Sequence, residues 1–462
     1  MFGGKRGRAM TKHGHTIERT NTGGKPILLE LTGMTEHIES VIHDIAYRRA
    51  IIDVHRLANS KRVQEAIVGA AGTEMYAQIM PWLRTIAADR RKEPTAHFET
   101  LFARARHGAT IVNMGWKMTT ALVQFMGYTV SVKEIGAKYA AMGLKDAFLK
   151  PYALADKWEF ITERSEFMKE RPRNYDRDVR DTLRGMGAIG KQGIGSAVDA
   201  YTVGLKSSWF ALIAYMDMAV SMPTWLGAYR KAMDGMVENI IKGDEKAAAE
   251  FADRTVRMTQ SSGAAKDLAS IQTGSETWKL FTMFYSYFSL LFNQFGKTAT
   301  QFRFDKNVPK LIGSLFLLWF LPAVLEDLLL GRGPDDDDDE DKWLKWAAKN
   351  EVMYPFQSVV IARDLVNGMD KFGYEPSAAF DMFEKASKTG KLGVDLATGE
   401  KEEISRTNIK DAVMLVGYFA QLPTRQLWLT GEYFHDWMTG EQEPESLAEG
   451  IWRGLVTGKK RD

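Results

Sequence analysis

The sequence predicts an all-α fold: an elongated multi-helix assembly with long apolar helices and at most a minor N-terminal hairpin. Three observations predict it. Apolar residues recur at helical spacing along nearly the whole chain, whereas strand-like alternation is almost absent. Only 13 prolines interrupt 462 residues, so few helix interiors are broken. The apolar share is bulky: 24 Phe, 15 Tyr, 12 Trp and 23 Met suit thick helical cores or contact with lipid.

Residues 1–34 read as a basic leader or tether. Lys5, Arg6, Arg8 and Lys12 look like the start of a signal peptide, but His13, Gly14 and His15 follow in place of an apolar run. Residues 16–32, with Gly23, Gly24 and Pro26 inside, carry the one strand signal. A helical domain is expected over 35–184. Thr35 suits an N-cap, Glu36 and Glu39 favour a first turn, and Ile38, Val41, Ile42 and Ile45 share one face. Further helices are expected over 63–68, ending at Gly69, and over 74–86, with Pro81 as a kink or a break. Residues 89–93 form a charged turn before Pro94, which suits the first position of the next helix.

Four stretches are unusually apolar: 118–132, 207–229 interrupted by Asp217, 280–296, and 311–325 with Pro322 inside. A helix rises about 1.5 Å per residue, so 15 residues span roughly 22 Å, short of the ~30 Å hydrocarbon core. They read either as buried helices of a large soluble protein or as helices that pack together in one state and face lipid in another. Aromatic side chains in the apolar region 196–334 mark a membrane or partner contact. One run holds Trp278, Phe281, Phe284, Tyr285, Phe288 and Phe292, all but Trp278 along one helical stripe; a second holds Leu315, Phe316, Trp319 and Phe320. Residues 335–341 are six Asp and one Glu within an expected acidic linker, 335–345, without the spaced ligands or central glycine of a calcium loop. A C-terminal helical region is expected over 346–462, with helices near 342–346 and 353–366, a polar loop over 386–408, and breaks at Pro423 and near Gly440.

Chemistry is harder to find. Lys and Arg number 61 against 59 Asp and Glu, so net charge lends no support to a DNA contact. The absence of Cys excludes disulfides, thiolate metal sites and cysteine nucleophiles. Gly185, Gly187 and Gly190, followed by Lys191, match a phosphate-loop pattern up to Gln192, which stands where a Ser or Thr would bind Mg²⁺. The charged lead-in, 175–184, cannot be the buried strand such a loop needs. Gly185, Gly187, Gly190, Gly193 and Gly195 therefore read as a hinge at 185–195. The eight histidines offer no metal-ligand pair, and His37 and His43 fall on different faces of one helix. No catalytic, cofactor-binding or metal-binding residue is expected, and no small-molecule substrate.

Several stretches nevertheless share a pattern: 37–47 around His43 and Asp44, 115–124, 209–229 with its central Met216 and Asp217, 250–260, 279–293, and the end segments 417–423 and 453–462. Together they resemble the helical C-terminal region of large polyvalent, or internal virion (ejection), proteins of tailed phages and prophages. The resemblance implies a chain carried in the virion and delivered with the genome, with other virion proteins or its own copies as partners. Afterwards it would sit at the host envelope or in the cytoplasm. It brings no catalytic residue. Such proteins continue far upstream, so a separated terminal piece and a stand-alone virion protein both fit. The expected function is that of a phage internal virion protein, associating with the host envelope through its aromatic and apolar helices. The alternative is a soluble helical interaction module of a polyvalent protein with no membrane role.

Overall fold

The structure is a computed structural model that describes residues 31–88, 97–149, 154–173, 177–185, 208–262, 267, 268, 270–283, 285–329, 378–399, 403–444 and 446–457. Among these, 85% are helical and none lies in a strand, so the fold is all-α. Nearly all of 16–32, the turn at 89–93, the acidic run and the helices expected over 342–346 and 353–366 fall outside the described residues. The chain forms two compact units, one from residues 1–100, 189–194 and 264–279, the other from the remainder.

In the first unit, α1 (Leu31–Ala58) packs on α2 (Lys61–Ala88). α1 starts at Leu31, so Thr35 lies inside the helix and does not cap it. The two short helices expected next form α2 together. Its break falls at Gly72, where φ is 86°, a value that glycine alone holds cheaply, and the helix runs on through Pro81. Ile51, Ala58, Met80, Leu83, Ile86 and Ala87 form the shared core, and the Tyr76 hydroxyl donates to the Ala58 carbonyl at 3.0 Å. Ile38, Ile42 and Ile45 stay exposed, while Asp44 beside them is buried and paired with Arg48 at 3.6 Å.

The second unit takes up α3 (His97–Met114) from residue 101 and continues with α4 (Met118–Val123), a 3-10 turn (Gln124–Met126), α5 (Gly127–Ile135) and α6 (Ala137–Phe148). Next come α7 (Leu154–Arg164), α8 (Glu166–Glu170), α9 (Arg177–Gly185), α10 (Ala211–Met233) and α11 (Glu245–Thr259). After α12 (Glu276–Phe281), whose last two residues belong to this unit, follow α13 (Tyr285–Asp305), α14 (Val308–Leu315), a π-turn (Phe316–Phe320) and α15 (Leu321–Leu329). α16 (Ala378–Ala397), α17 (Arg406–Ala420), α18 (Thr424–Met438) and α19 (Leu447–Trp452) end the described order, with the expected break at Pro423 and Gly440 just past α18.

Two expectations need correction. The loop placed at 386–408 is helical to Ala397. Asp381 pairs with Lys385 and Glu384 with Lys388 across one turn, which supports a helix despite Gly390 and Gly393. The aromatic run 278–292 is not one helix, because α12 stops at Phe281 and α13 begins at Tyr285. At the break the buried Arg177 guanidinium donates to the Thr282 hydroxyl at 3.1 Å and to its carbonyl at 3.0 Å, and the Tyr285 amide donates to the same carbonyl at 3.3 Å.

The main core surrounds α10, in which residues 220–229 are all buried. Small residues make that possible. A Cβ at Gly143 would lie 2.1 Å from the Pro223 carbonyl oxygen, and one at Gly227 2.5 Å from that of Tyr139, so α6 and α10 meet backbone to backbone. Trp225 stacks on Tyr229 at 5.0 Å and donates its Nε1 proton to Asp253 at 2.8 Å. Asp217, the one charge between residues 207 and 229, accepts two hydrogen bonds from Arg171, at 2.9 and 2.8 Å.

Candidate functional site

The chain reverses between α13 and α14 over Asp305, Lys306 and Asn307. Lys306 takes a left-handed φ of 52°, the Asn307 side chain accepts from the Lys310 amide at 3.0 Å, and Asp305 accepts from the Asn307 amide at 3.0 Å and from Lys310 Nζ at 3.1 Å. From Val308 the chain then stays helical through α14, the π-turn and α15. Pro322 lacks an amide proton and its ring crowds the carbonyl four residues back, at Leu318. The wider turn over Phe316–Phe320 accommodates it without ending the helix.

Val308–Leu325 is the one helical run among the described residues that is long and apolar enough to cross a membrane. Of its 18 residues, Leu318, Pro322 and Ala323 alone are buried. Val308, Ile312 and Phe316, spaced four apart, form an exposed stripe, with Ile312 62% exposed, and Phe316 stacks on Phe320 at 5.1 Å. The buried side meets a narrow seam. Leu318 and Ala323 pack with Val130 of α5 and Leu291 of α13, flanked by Tyr287, Phe288, Leu290 and Trp319.

One turn beyond that seam on α5 and α13 the chemistry changes to charge. Glu134 accepts from Lys133 at 3.0 Å and from Lys297 at 2.6 Å. Lys133, only 6% exposed, also donates to the Gln294 side-chain oxygen at 2.9 Å, and the Gln294 amide donates to the Met258 carbonyl at 2.7 Å. Lys231, in the last turn of α10, donates to the Glu134 carbonyl at 3.3 Å, where α5 is ending and its carbonyls lack helical partners. Burial lowers the Lys133 ammonium below its ordinary pKa; Glu134 opposes that, while the positive charges of Lys297 and Lys310 add to it. Burial also lowers Lys231, again opposed by Glu134. Burial pushes Glu134 up, but the Lys297 hydrogen bond and the Lys133 charge overcome it and hold its carboxyl below the usual range. Lys310, in the first turn of α14, pairs with Asp305 at 3.1 Å, and its charge reaches Lys133.

The sequence-marked contact residues separate. Phe316 and Phe292 are exposed; Leu315, Trp319, Phe320, Tyr285 and Phe288 are half-buried, and Phe295 packs on Trp319 with ring centres 4.8 Å apart. Trp278 is exposed but belongs to the first unit. The side chains of Phe281 and Phe284 lie outside the description, as do Gly187, Gly190, Gly193 and Gly195 of the expected hinge, while Gly185 ends α9. The lysine cluster was not foreseen. Its signal was the Lys133-Glu134 doublet closing an uncharged run, but nothing in the spacing joins it to Lys231 or Lys297, about a hundred residues and more away.

Other polar groups serve the scaffold. Arg106 reaches Asp178 at 3.3 Å and Asp181 at 3.5 Å, and Arg177 closes on Asp178 at 2.7 Å, inside the unit. Tyr418 donates to Asp381, and burial first, then the Asp381 charge, push its phenol far up. Among the described residues no three His, Asp or Glu side chains gather as a metal site. Fold and site together define, among the described residues, an all-α protein with an apolar helical run of which three residues in 18 are buried, and a separate lysine cluster at Glu134. No family model, curated protein or solved structure matches the chain.

Proposed function

We propose that this protein attaches to an anionic bilayer through Val308–Leu325, with the basic residues around the start of that run facing the headgroups. The observation that carries this reading is the exposure of the run itself: 18 apolar-rich residues of which three are buried. Burying one large apolar side chain is worth about 1.5–3 kcal/mol, so the stripe of Val308, Ile312 and Phe316 gains substantially from lipid. Charge supports the same direction. Lys297, Arg303, Lys306 and Lys310 precede or open the run against a single acid, Asp305, and each basic residue near an anionic surface contributes about 1 kcal/mol.

Such attachment is what an internal virion protein delivered with a phage genome would perform at the host envelope. The phage assignment rests on the sequence resemblance, and the bilayer contact on the exposed helix. Flotation with phosphatidylglycerol-containing vesicles tests it. The wild-type chain is expected to float, and a chain carrying both Ile312→Ser and Phe316→Ser to remain at the bottom. A wild-type chain that stays at the bottom leaves the interaction-module reading.

A further inference from the structure

Among the described residues, the lysine cluster brings together more cations than carboxylates. Lys133 and Lys297 share one carboxylate, Glu134, and Lys231 donates to the backbone carbonyl of the same residue. Each ammonium has three N–H donors. Lys133 directs two of them, to Glu134 and Gln294, and Lys231 and Lys297 direct one each. The acceptor for Lys231 is a backbone carbonyl at 3.3 Å, a dipole and not a counter-charge. Lys310 adds a fourth positive charge within range of Lys133, and its own partner is Asp305. Cations drawn partly out of water are costly without an opposite charge. Here the carboxylate is shared, and among the described residues the three ammoniums direct four of their nine donors. The cluster is open on one side, where the Lys297 side chain is 38% exposed.

We propose that Lys133, Lys231 and Lys297 form a binding site for a tetrahedral oxyanion of the phosphate class, with Glu134 positioning the Lys133 and Lys297 ammoniums. A phosphate monoester carries a charge of about −1.5 to −2 at neutral pH, which matches an excess of two cations, and its oxygens accept several charge-assisted hydrogen bonds at once. Lys310, whose charge reaches Lys133, stands in the first turn of the apolar run, which is where a headgroup would sit if that run enters a bilayer. That source rests on the bilayer reading above; the oxyanion site itself also fits free phosphate.

The experiment uses the full chain and two probes. Inorganic phosphate is titrated calorimetrically and in thermal melts against sodium chloride at matched ionic strength. Phosphate is expected to bind and to raise Tm beyond chloride. Lys231→Met and Lys297→Met are each expected to weaken binding about tenfold or more, the loss of a charged hydrogen bond. Lys231→Arg should retain it, and exposed Lys246→Met should leave it unchanged. Absence of a phosphate effect beyond chloride, or equal losses in Lys246→Met and Lys231→Met, overturns the site. Phosphatidylcholine vesicles carrying phosphatidic acid form the second probe. Parallel loss of vesicle and phosphate binding in Lys231→Met supports a site that takes the headgroup. Loss of phosphate binding alone supports a site that takes free phosphate. The Ile312→Ser, Phe316→Ser chain should lose vesicles and keep inorganic phosphate; if the wild type binds phosphate but no vesicle, the bilayer reading fails and the oxyanion site stands.

Discussion

Helix α10 and the run Val308–Leu325 look alike as sequence. Each is long and apolar, each holds a proline inside, Pro223 or Pro322, and each has a single charge near its start, Asp217 or Lys310. Their fates differ. α10 has ten consecutive buried residues, whereas the run has three buried among 18. The difference lies in side-chain size and polarity around the helix. α10 presents Ser221, Thr224, Gly227 and Ala228 amid its large residues, so α6 approaches to backbone contact and the Thr224 hydroxyl lies 2.7 Å from Ser131 Oγ. From Leu315 to Leu321 the other run is Phe, Leu and Trp without interruption. Bulky side chains on every side keep neighbouring helices from the backbone-to-backbone approach that α6 makes to α10.

Trp225→Ala in α10 should cost about 3–5 kcal/mol, read as the shift in a urea midpoint, because a large buried ring and its bond to Asp253 vanish together. Leu318→Ala tests whether the run has any true core. The seam with Val130 and Leu291 predicts a loss of about 2–5 kcal/mol, at the lower end because the seam is narrow. Gly143→Ala places a methyl against the Pro223 carbonyl and should cost about 1–3 kcal/mol as α6 is pushed from α10, visible as a lower Tm. An unchanged melt there would mean that the two helices are not in backbone contact.

The carboxyl of Glu134 lies below its ordinary pKa, so its contribution to stability is fully present above that ordinary value and is lost as pH falls through the depressed one. Lys133 acts with the opposite sense. Its folded pKa is lowered, so its penalty is present at neutral pH and is relieved as pH rises through the depressed value toward 10.5. Glu134→Gln should therefore flatten the acid limb of the Tm profile between about pH 5 and pH 3, a window set by ordinary carboxylate values. The smallest effect belongs to the exposed stripe: Ile312→Ser should change stability by no more than about 0.5 kcal/mol in buffer. A large loss there would show that the stripe is covered in the free protein.

Parts of this architecture were legible from spacing alone. The all-α class followed from 3.6-residue periodicity, and the break at Pro423 from the residue that cannot continue a helix. Other boundaries were not legible from spacing. α12 stops beside Thr282, to which the remote Arg177 donates, and α2 kinks through the backbone freedom of Gly72 and not at Pro81. The face of α1 is a further instance. Ile38, Ile42 and Ile45 share a stripe as expected, yet they are exposed while Ile51 enters the core.

Local sequence dictated helix across the described residues, four apolar stretches, and an aromatic run just ahead of Pro322. Those properties are local, fixed by backbone preference and by the period of apolar residues. Tertiary structure alone decided which apolar helix is enclosed and which faces out. It alone brought Lys133, Glu134, Lys231 and Lys297 into one cluster. Burial and charge clustering are sums over neighbours supplied by remote segments, and no local period encodes which neighbours arrive.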